Sequence, residues 1–244
     1  NEDYRALCEV EIYDVFRGAW RTGCPLLQPR RSLSGCVAGG CLFALGGYSG
    51  LEPLDSAEFH DPRCPGWFAL ASMQVARIGA AAVAGAGSEL YVLGGSAELF
   101  GECYDIRANA WRPLPAPSPE LVAGGGGGRL VDNQPGLGLT GAATARIRDQ
   151  LVLCGGYATN QLPTTRTLLL DLKDLSWRRA APAPRPLADA TLVPNGPSSL
   201  LSIGGHNGEG ACDMYDLVQD KWTANTTTLN KGERWGHATC VLNF

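Results

Sequence analysis

Short apolar segments recur along the chain, and each one ends at a pair of glycines. The segments are four or five residues long, as in Cys41 to Leu45 and Leu90 to Leu93. Continuous apolar runs of this length are typical of strands that are buried on both faces. The pattern therefore predicts four buried strands, which end at Gly46-Gly47, Gly94-Gly95, Gly155-Gly156 and Gly204-Gly205.

A second repeated pattern joins an aspartate to a tryptophan six residues later. The residue before the aspartate is usually aromatic, and the five residues between aspartate and tryptophan are typical of a turn. This spacing predicts a hairpin whose aspartate accepts backbone N–H groups and whose tryptophan packs between neighbouring sheets. The pairs are Asp14 with Trp20, Asp61 with Trp67, Asp105 with Trp111, Asp171 with Trp177, and Asp216 with Trp222.

Together the two patterns define a unit of four strands, which is the size of a β-propeller blade. We expect the glycine pairs to let the backbone pass close to packed aromatic rings. The predicted fold is an all-β propeller with four whole blades and two half-blades. The predicted ranges are a half-blade at 1–33, blades at 34–77, 78–117, 138–185 and 186–233, and a closing strand at 234–244.

Two features of the chain leave the number of blades open. The first range contains only the second half of a blade, and the last contains only a first strand. The two ends either meet in a closed five-bladed ring or belong to a six-bladed ring that is part of a longer protein. Between the second and third blades, a proline-rich and then glycine-rich stretch at 118–137 predicts a solvent loop.

The repeated motifs resemble those of the kelch-repeat β-propeller family over the whole chain. Within that family, the segments 3–14 and 234–237, with Pro29-Arg30-Arg31 and Gly46-Gly47-Tyr48, are similar to the kelch proteins of the apicomplexan endocytic micropore, which are linked to artemisinin susceptibility. Such proteins resemble BTB-kelch adaptors of cullin ubiquitin ligases. The resemblance implies six blades and a non-catalytic adaptor that recruits a substrate for ubiquitin ligation. Components of a cullin ligase or of the endocytic machinery would then bind through a region upstream of this chain.

Composition and charge narrow the class of partner. The 244 residues carry a formal net charge of -4, with an isoelectric point near 5.4, so no basic field favours a nucleic-acid partner. The longest uncharged stretch, Ala190 to Gly208, is broken by Pro194, Pro197 and several glycines, so no membrane span is predicted. The nine cysteines are an odd number without paired CxxC motifs, which favours reduced thiols and a cytoplasmic location.

Catalysis has little support in the sequence. The three histidines, His60, His206 and His237, fall at repeat positions or beside glycine pairs, where structural roles are more common than metal binding. The glycine pairs recur with the strands and therefore do not indicate a phosphate-binding loop. We expect no catalytic residues, no metal and no cofactor. A structural scaffold at an endocytic or cytoskeletal assembly and a carbohydrate-active propeller enzyme are the alternatives to an adaptor.

The candidate partner-binding residues lie near the ends of the predicted inner strands. Four arginines precede the first strands of their units, and equivalent positions in a propeller form a ring around its axis. They predict either a mouth that binds acidic peptide segments or a set of structural contacts that tie neighbouring blades together. The loops after the glycine pairs would set specificity. The candidate residues are Arg31, Arg77, Arg185, Arg234, Tyr48, Tyr157, His206 and Asn207.

Overall fold

The computed structural model describes residues 5–122, 139–158, 162–206 and 210–228. Its strands form one two-stranded and four four-stranded antiparallel sheets, and each sheet takes its strands in chain order. The two-stranded sheet contains β1 (Glu11–Asp14) and β2 (Ala19–Thr22). The predicted propeller with four whole blades and a preceding half-blade is confirmed, and the predicted closing strand at 234–244 lies outside the described residues.

Each four-stranded sheet is one blade. Blade 1 contains β3 (Ser34–Ala38), β4 (Cys41–Leu45), β5 (Ala57–His60) and β6 (Phe68–Ala69), and blade 2 contains β7 (Ala81–Ala84), β8 (Glu89–Leu93), β9 (Gly101–Asp105) and β10 (Ala110–Pro113). Blade 3 contains β11 (Thr140–Ile147), β12 (Gln150–Tyr157), β13 (Thr167–Asp171) and β14 (Trp177–Arg179). Blade 4 contains β15 (Thr191–Pro194), β16 (Ser199–Ile203), β17 (Ala211–Asp216) and β18 (Lys221–Thr228).

The first strands of the blades surround a common axis. Strand β3 lies against β7, β7 against β11, and β11 against β15. The apolar second strands form the buried layer behind them, and Leu90, Val92, Leu151 and Val152 are among their fully buried side chains. The fourth strands are therefore the outer edges of the blades.

The hairpin between the third and fourth strands has the predicted geometry. In the half-blade, Oδ1 of Asp14 accepts the backbone N–H groups of Phe16 and Arg17, both at 3.0 Å. Oδ1 of Asp105 accepts those of Arg107 and Ala108 in the same way. Because the side chain satisfies two turn donors, one residue type at one position sets the turn in successive units.

The tryptophans connect each blade to the one before it. In each of the four whole blades, the indole N–H donates to the carbonyl that lies four residues after the preceding tryptophan, at 2.7–3.0 Å, as Trp111 does to Ala71. The other bonds join Trp67 to Cys24, Trp177 to Pro115 and Trp222 to Ala181. Trp20 departs from the expected burial because it is 67% exposed, and no described blade lies on its side of the half-blade.

The glycine pairs permit close contact between backbones, and not the contact with aromatic rings that the sequence suggested. Gly155 and Gly156 have φ angles of 71° and 83°, which residues with a Cβ rarely adopt. A Cβ on Gly155 would overlap the carbonyl oxygen of Leu187 in the next blade. The N–H of Gly156 donates to that same carbonyl at 2.7 Å. The pair therefore lets one blade bond directly to the segment that leads into the next.

The stretch expected to be a loop at 118–137 begins with ordered structure. Residues Pro119–Val122 form one helical turn, α1. The Val122 side chain is buried, and the Arg179 guanidinium on β14 donates to the Leu121 carbonyl at 2.8 Å. The loop prediction is therefore wrong for these four residues, because α1 packs on blade 3. The rest of that stretch lies outside the described residues.

Candidate partner-binding face

The mouth face is the end of the propeller where the first strands begin and the second strands end. Four residues at the starts of the first strands have left-handed φ angles of 49–66°: Ser32, Gly79, Gly141 and Asp189. Their backbones form a chain in which each N–H donates to the carbonyl of the preceding member, at 2.7–2.8 Å. The four blades are therefore joined around the axis by backbone hydrogen bonds, which gives the face a rigid inner rim.

A cavity of about 600 Å³ opens inside this rim. Its lining is mostly small, with Gly79, Ala80, Gly141, Ala142 and Ala190 among the lining residues. Such a volume lies within the about 300–1,000 Å³ that is usual for ligand sites. Among the described lining residues, Asp189 alone carries a formal charge.

Two of the four arginines predicted to form a ring at the mouth, Arg77 and Arg185, are paired with carboxylates inside the blades instead. Arg77 is completely buried, and its guanidinium donates to the Glu102 carboxylate at 3.0 Å and to the Gly94 carbonyl at 2.6 Å. Arg185 similarly pairs with the buried Asp213 at 3.0 Å. These charges are neutralised inside their own blades, so neither arginine supports an acidic partner.

The residue equivalent to Arg77 in blade 1 is Arg30 and not Arg31, which the sequence had suggested. Arg30 pairs with the buried Glu58 at 2.7 Å and donates to the Gly46 carbonyl at 2.7 Å. Both arginines connect the entry of the first strand to the second and third strands of the same blade. Their side chains act within a blade, whereas the Arg77 backbone also joins neighbouring blades, because its carbonyl accepts the Gly47 N–H of blade 1 at 2.8 Å.

Blade 3 has an apolar replacement for this ion pair. Leu139 accepts a backbone hydrogen bond from Gly95, just as Arg77 accepts one from Gly47. Leu168 stands three residues before its turn aspartate, as Glu102 does. Leu139 and Leu168 belong to one buried cluster. The same structural position is therefore filled by an ion pair in two blades and by two leucines in a third.

The first residues after the glycine pairs do line the mouth face. Arg31 pairs through its backbone with Tyr48, and its guanidinium lies 4.8 Å from the centre of the Tyr48 ring, which is a cation–π distance. Tyr157 and His206 occupy the equivalent positions in blades 3 and 4, with 3.1 Å between the Tyr157 hydroxyl and His206 Nδ1. The candidate residues Arg234 and Asn207 lie outside the described residues.

Asp189 is the mouth residue that the sequence analysis missed. The Tyr157 hydroxyl donates to its Oδ2 at 3.2 Å, across the boundary between blades 3 and 4. Burial and the nearby Asp189 carboxylate raise the pKa of Tyr157, so the phenol stays protonated and remains a donor. The sequence held one signal for Asp189. Gly79 follows Arg77-Ile78 at the entry to blade 2, and Asp189 follows Leu187-Ala188 at the matching position of blade 4.

Neither a metal centre nor a membrane helix is found in the described part of the chain. Among residues 5–122, 139–158, 162–206 and 210–228, no three histidine, cysteine or acidic side chains are grouped to hold a metal ion. Over those same residues, no helix is long and apolar enough to cross a membrane.

Known proteins with similar sequences match nearly the whole chain. Mouse Kelch-like protein 23 is 28% identical over 252 residues, covering 98% of this chain, and human Kelch-like protein 23 is 27% identical over 99% of it. Mouse Kelch-like protein 35 is 26% identical over 84% of the chain. No family model matches. The fold is a kelch-type β-propeller.

These relatives support a place in the kelch-repeat family. The matched region is 40% of mouse and 41% of human Kelch-like protein 23, so the chain spans about two fifths of the length of these relatives. A protein-interaction propeller is the role that this similarity supports.

Proposed function

We propose that this propeller is a non-catalytic interaction module that binds a protein partner at its mouth face. The observation that carries the proposal is the cavity at the axis, which is bordered by the hydrogen-bonded rim of four residues and by side chains that differ between blades. A rigid scaffold with variable loops at one end is typical of recognition surfaces. Arg31 with Tyr48 on blade 1 and Tyr157 with His206 across blades 3 and 4 supply the polar and aromatic groups.

The aromatic residues of the face are its expected anchors. Tyr48 and Tyr157 are both partly exposed at equivalent places. Tyrosine combines a large rigid area with one hydroxyl, and it is enriched among residues that dominate binding energy. We expect truncation of either residue to weaken binding much more than it weakens folding.

The experiment is quantitative affinity purification with the full-length protein and its variants. Tyr48→Ala and Tyr157→Ala should each reduce recovery of the specific partners at least about tenfold. Phe16→Ala is the matched control, because Phe16 is an aromatic residue that is 95% exposed in a turn at the opposite face. Equal partner recovery by all three variants, with unchanged melting temperatures, would contradict recognition at the mouth.

The finer proposal is that the full-length protein acts as a substrate-recruiting adaptor of a cullin-type ubiquitin ligase in the cytoplasm. It rests on the resemblance to BTB-kelch adaptors and needs a region outside this chain. Cullin should then co-purify with the full-length protein but not with residues 1–244 alone, and its absence from both would reject the adaptor role. The similarity to micropore kelch proteins, and with it an endocytic role, remains a prediction.

A further inference from the structure

We propose that the cavity at the mouth binds a basic side chain, an arginine or lysine of the partner, through the carboxylate of Asp189. This inference rests on the proposed function and gives the chemistry of the same site. It departs from the acidic preference that the sequence suggested, because two of the four arginines expected to supply that preference, Arg77 and Arg185, are paired inside the blades.

The Asp189 carboxylate is held across the boundary between two blades. A Cβ on Gly141 of blade 3 would lie only 2.5 Å from Asp189 Oδ1, so the bare glycine makes room for the carboxylate. The backbone N–H of Asp189 donates to the Gly141 carbonyl at 2.7 Å, and Tyr157 holds Oδ2. The side chain is thus positioned by blade 3 although it belongs to the segment that leads into blade 4.

The hydrogen bonds around Asp189 leave it able to accept more. An ionised carboxylate cannot donate, so the single Tyr157 proton must go to Asp189 Oδ2, and the bond between Tyr157 and His206 must be donated by His206 Nδ1. No hydrogen bond or ion pair reaches Oδ1 from the parts of the chain that the structure describes. A carboxylate has about four acceptor positions, and a guanidinium or ammonium group is the donor that matches it best.

The surroundings favour a cation over an anion or an apolar group. Asp189 is the sole formal charge among the described lining residues, and the glycine and alanine residues around it leave room for a long side chain. The Tyr157 ring lies beside the carboxylate, and the face of an aromatic ring also attracts cations. An acidic side chain entering this cavity would meet the Asp189 charge with no described lining cation to offset it.

The test uses a library of random octapeptides selected for binding to the whole chain at pH 7.5. We expect the selected peptides whose binding needs Tyr48 or Tyr157 to share an arginine or lysine at one position. Replacing that residue by glutamine in the peptide, or Asp189 by asparagine in the protein, should each weaken binding at least about tenfold. Asparagine is a conservative replacement because it also tolerates the left-handed φ of 54°.

Asp174→Asn is the matched control, since it removes one exposed carboxylate from a turn at the opposite face. It should leave peptide binding unchanged, which separates a local contact from the effect of net charge. Melting temperatures of both variants would show whether the fold is intact.

The outcomes separate the two proposals. The cation site would be overturned, and the mouth face kept, by two results with peptides whose binding needs Tyr48 or Tyr157. In one, these peptides carry only acidic or uncharged residues; in the other, they bind Asp189→Asn as well as the wild-type protein. Selected peptides that bind equally well to Tyr48→Ala and Tyr157→Ala would overturn the interaction face, and the cation site with it.

Discussion

The buried pair of Arg77 and Glu102 offers a direct test of how a blade is held together. Both side chains are fully buried and 3.0 Å apart. Replacing either one by leucine leaves the other charge buried without its partner, which costs about 3–5 kcal/mol in comparable ion pairs. We therefore expect Arg77→Leu and Glu102→Leu each to lower the free energy of unfolding by that amount.

The double substitution should cost much less than both single changes together. Two leucines occupy this place in blade 3, so the position tolerates an apolar pair. The remaining cost comes from two backbone groups. Glu102 Oε2 accepts the Gln74 N–H at 2.8 Å, and Arg77 donates to the Gly94 carbonyl. Each group left without a partner costs about 1–3 kcal/mol, which is partly offset by new apolar contact, so we expect a loss of about 2–4 kcal/mol.

Blade 3 indicates how the carbonyl part of that cost is avoided. The hydroxyl of Thr164 donates to the Gly155 carbonyl at 3.1 Å, which is the group equivalent to the Gly94 carbonyl. An apolar pair is thus accompanied by a separate donor for the carbonyl.

The assay is urea unfolding of the wild-type protein, the two single variants and the double variant, followed by tryptophan fluorescence. The coupling between the two sites, taken from the four free energies of unfolding, should be at least about 2 kcal/mol. A double variant that loses the full sum of the single changes would refute the reading of Arg77 as a staple within the blade. Single variants that unfold like the wild type would refute it equally.

Three further predictions concern the repeated positions. Trp67→Ala should lower the free energy of unfolding by about 3–5 kcal/mol because the ring is buried, whereas Trp20→Ala, at a largely exposed ring, should cost about 1 kcal/mol or less. Equal shifts in melting temperature for the two variants would contradict the role of Trp67 between blades. Gly155→Ala should lower the free energy of unfolding more than Gly39→Ala. Both glycines have positive φ, but a Cβ at Gly155 would overlap the Leu187 carbonyl whereas no atom lies within 4 Å of a Cβ at Gly39, and the midpoints of urea unfolding test this order. Burial raises the pKa of three thiols, those of Cys36, Cys103 and Cys154, to about 12. In alkylation followed by mass spectrometry, the exposed Cys64 should therefore react well before these three, and the reverse order would contradict their described burial.

The sequence alone determined the architecture because a propeller is a repeat of local patterns. The apolar strands, the glycine pairs and the six-residue spacing from Asp14 to Trp20 and its equivalents each lie within one blade. The spacing sets a hairpin through the hydrogen bonds of the aspartate with its own turn, and such contacts are readable from nearby residues. The number of strands per blade and their order followed from these patterns.

Tertiary structure alone decided the chemistry of the mouth. The sequence predicted equivalent places for Arg77 and Arg31, but Arg77 is paired with a carboxylate 25 residues later, while Arg31 lies over a tyrosine at the surface. Asp189 gained its place through Tyr157, 32 residues earlier in another blade. Whether a charge is neutralised or presented depends on which distant side chain it meets, within one blade for Arg77 and across a blade boundary for Asp189. The local period predicts where a blade begins and marks the position of Asp189, but the contacts of that charge at the axis come from a residue of another blade.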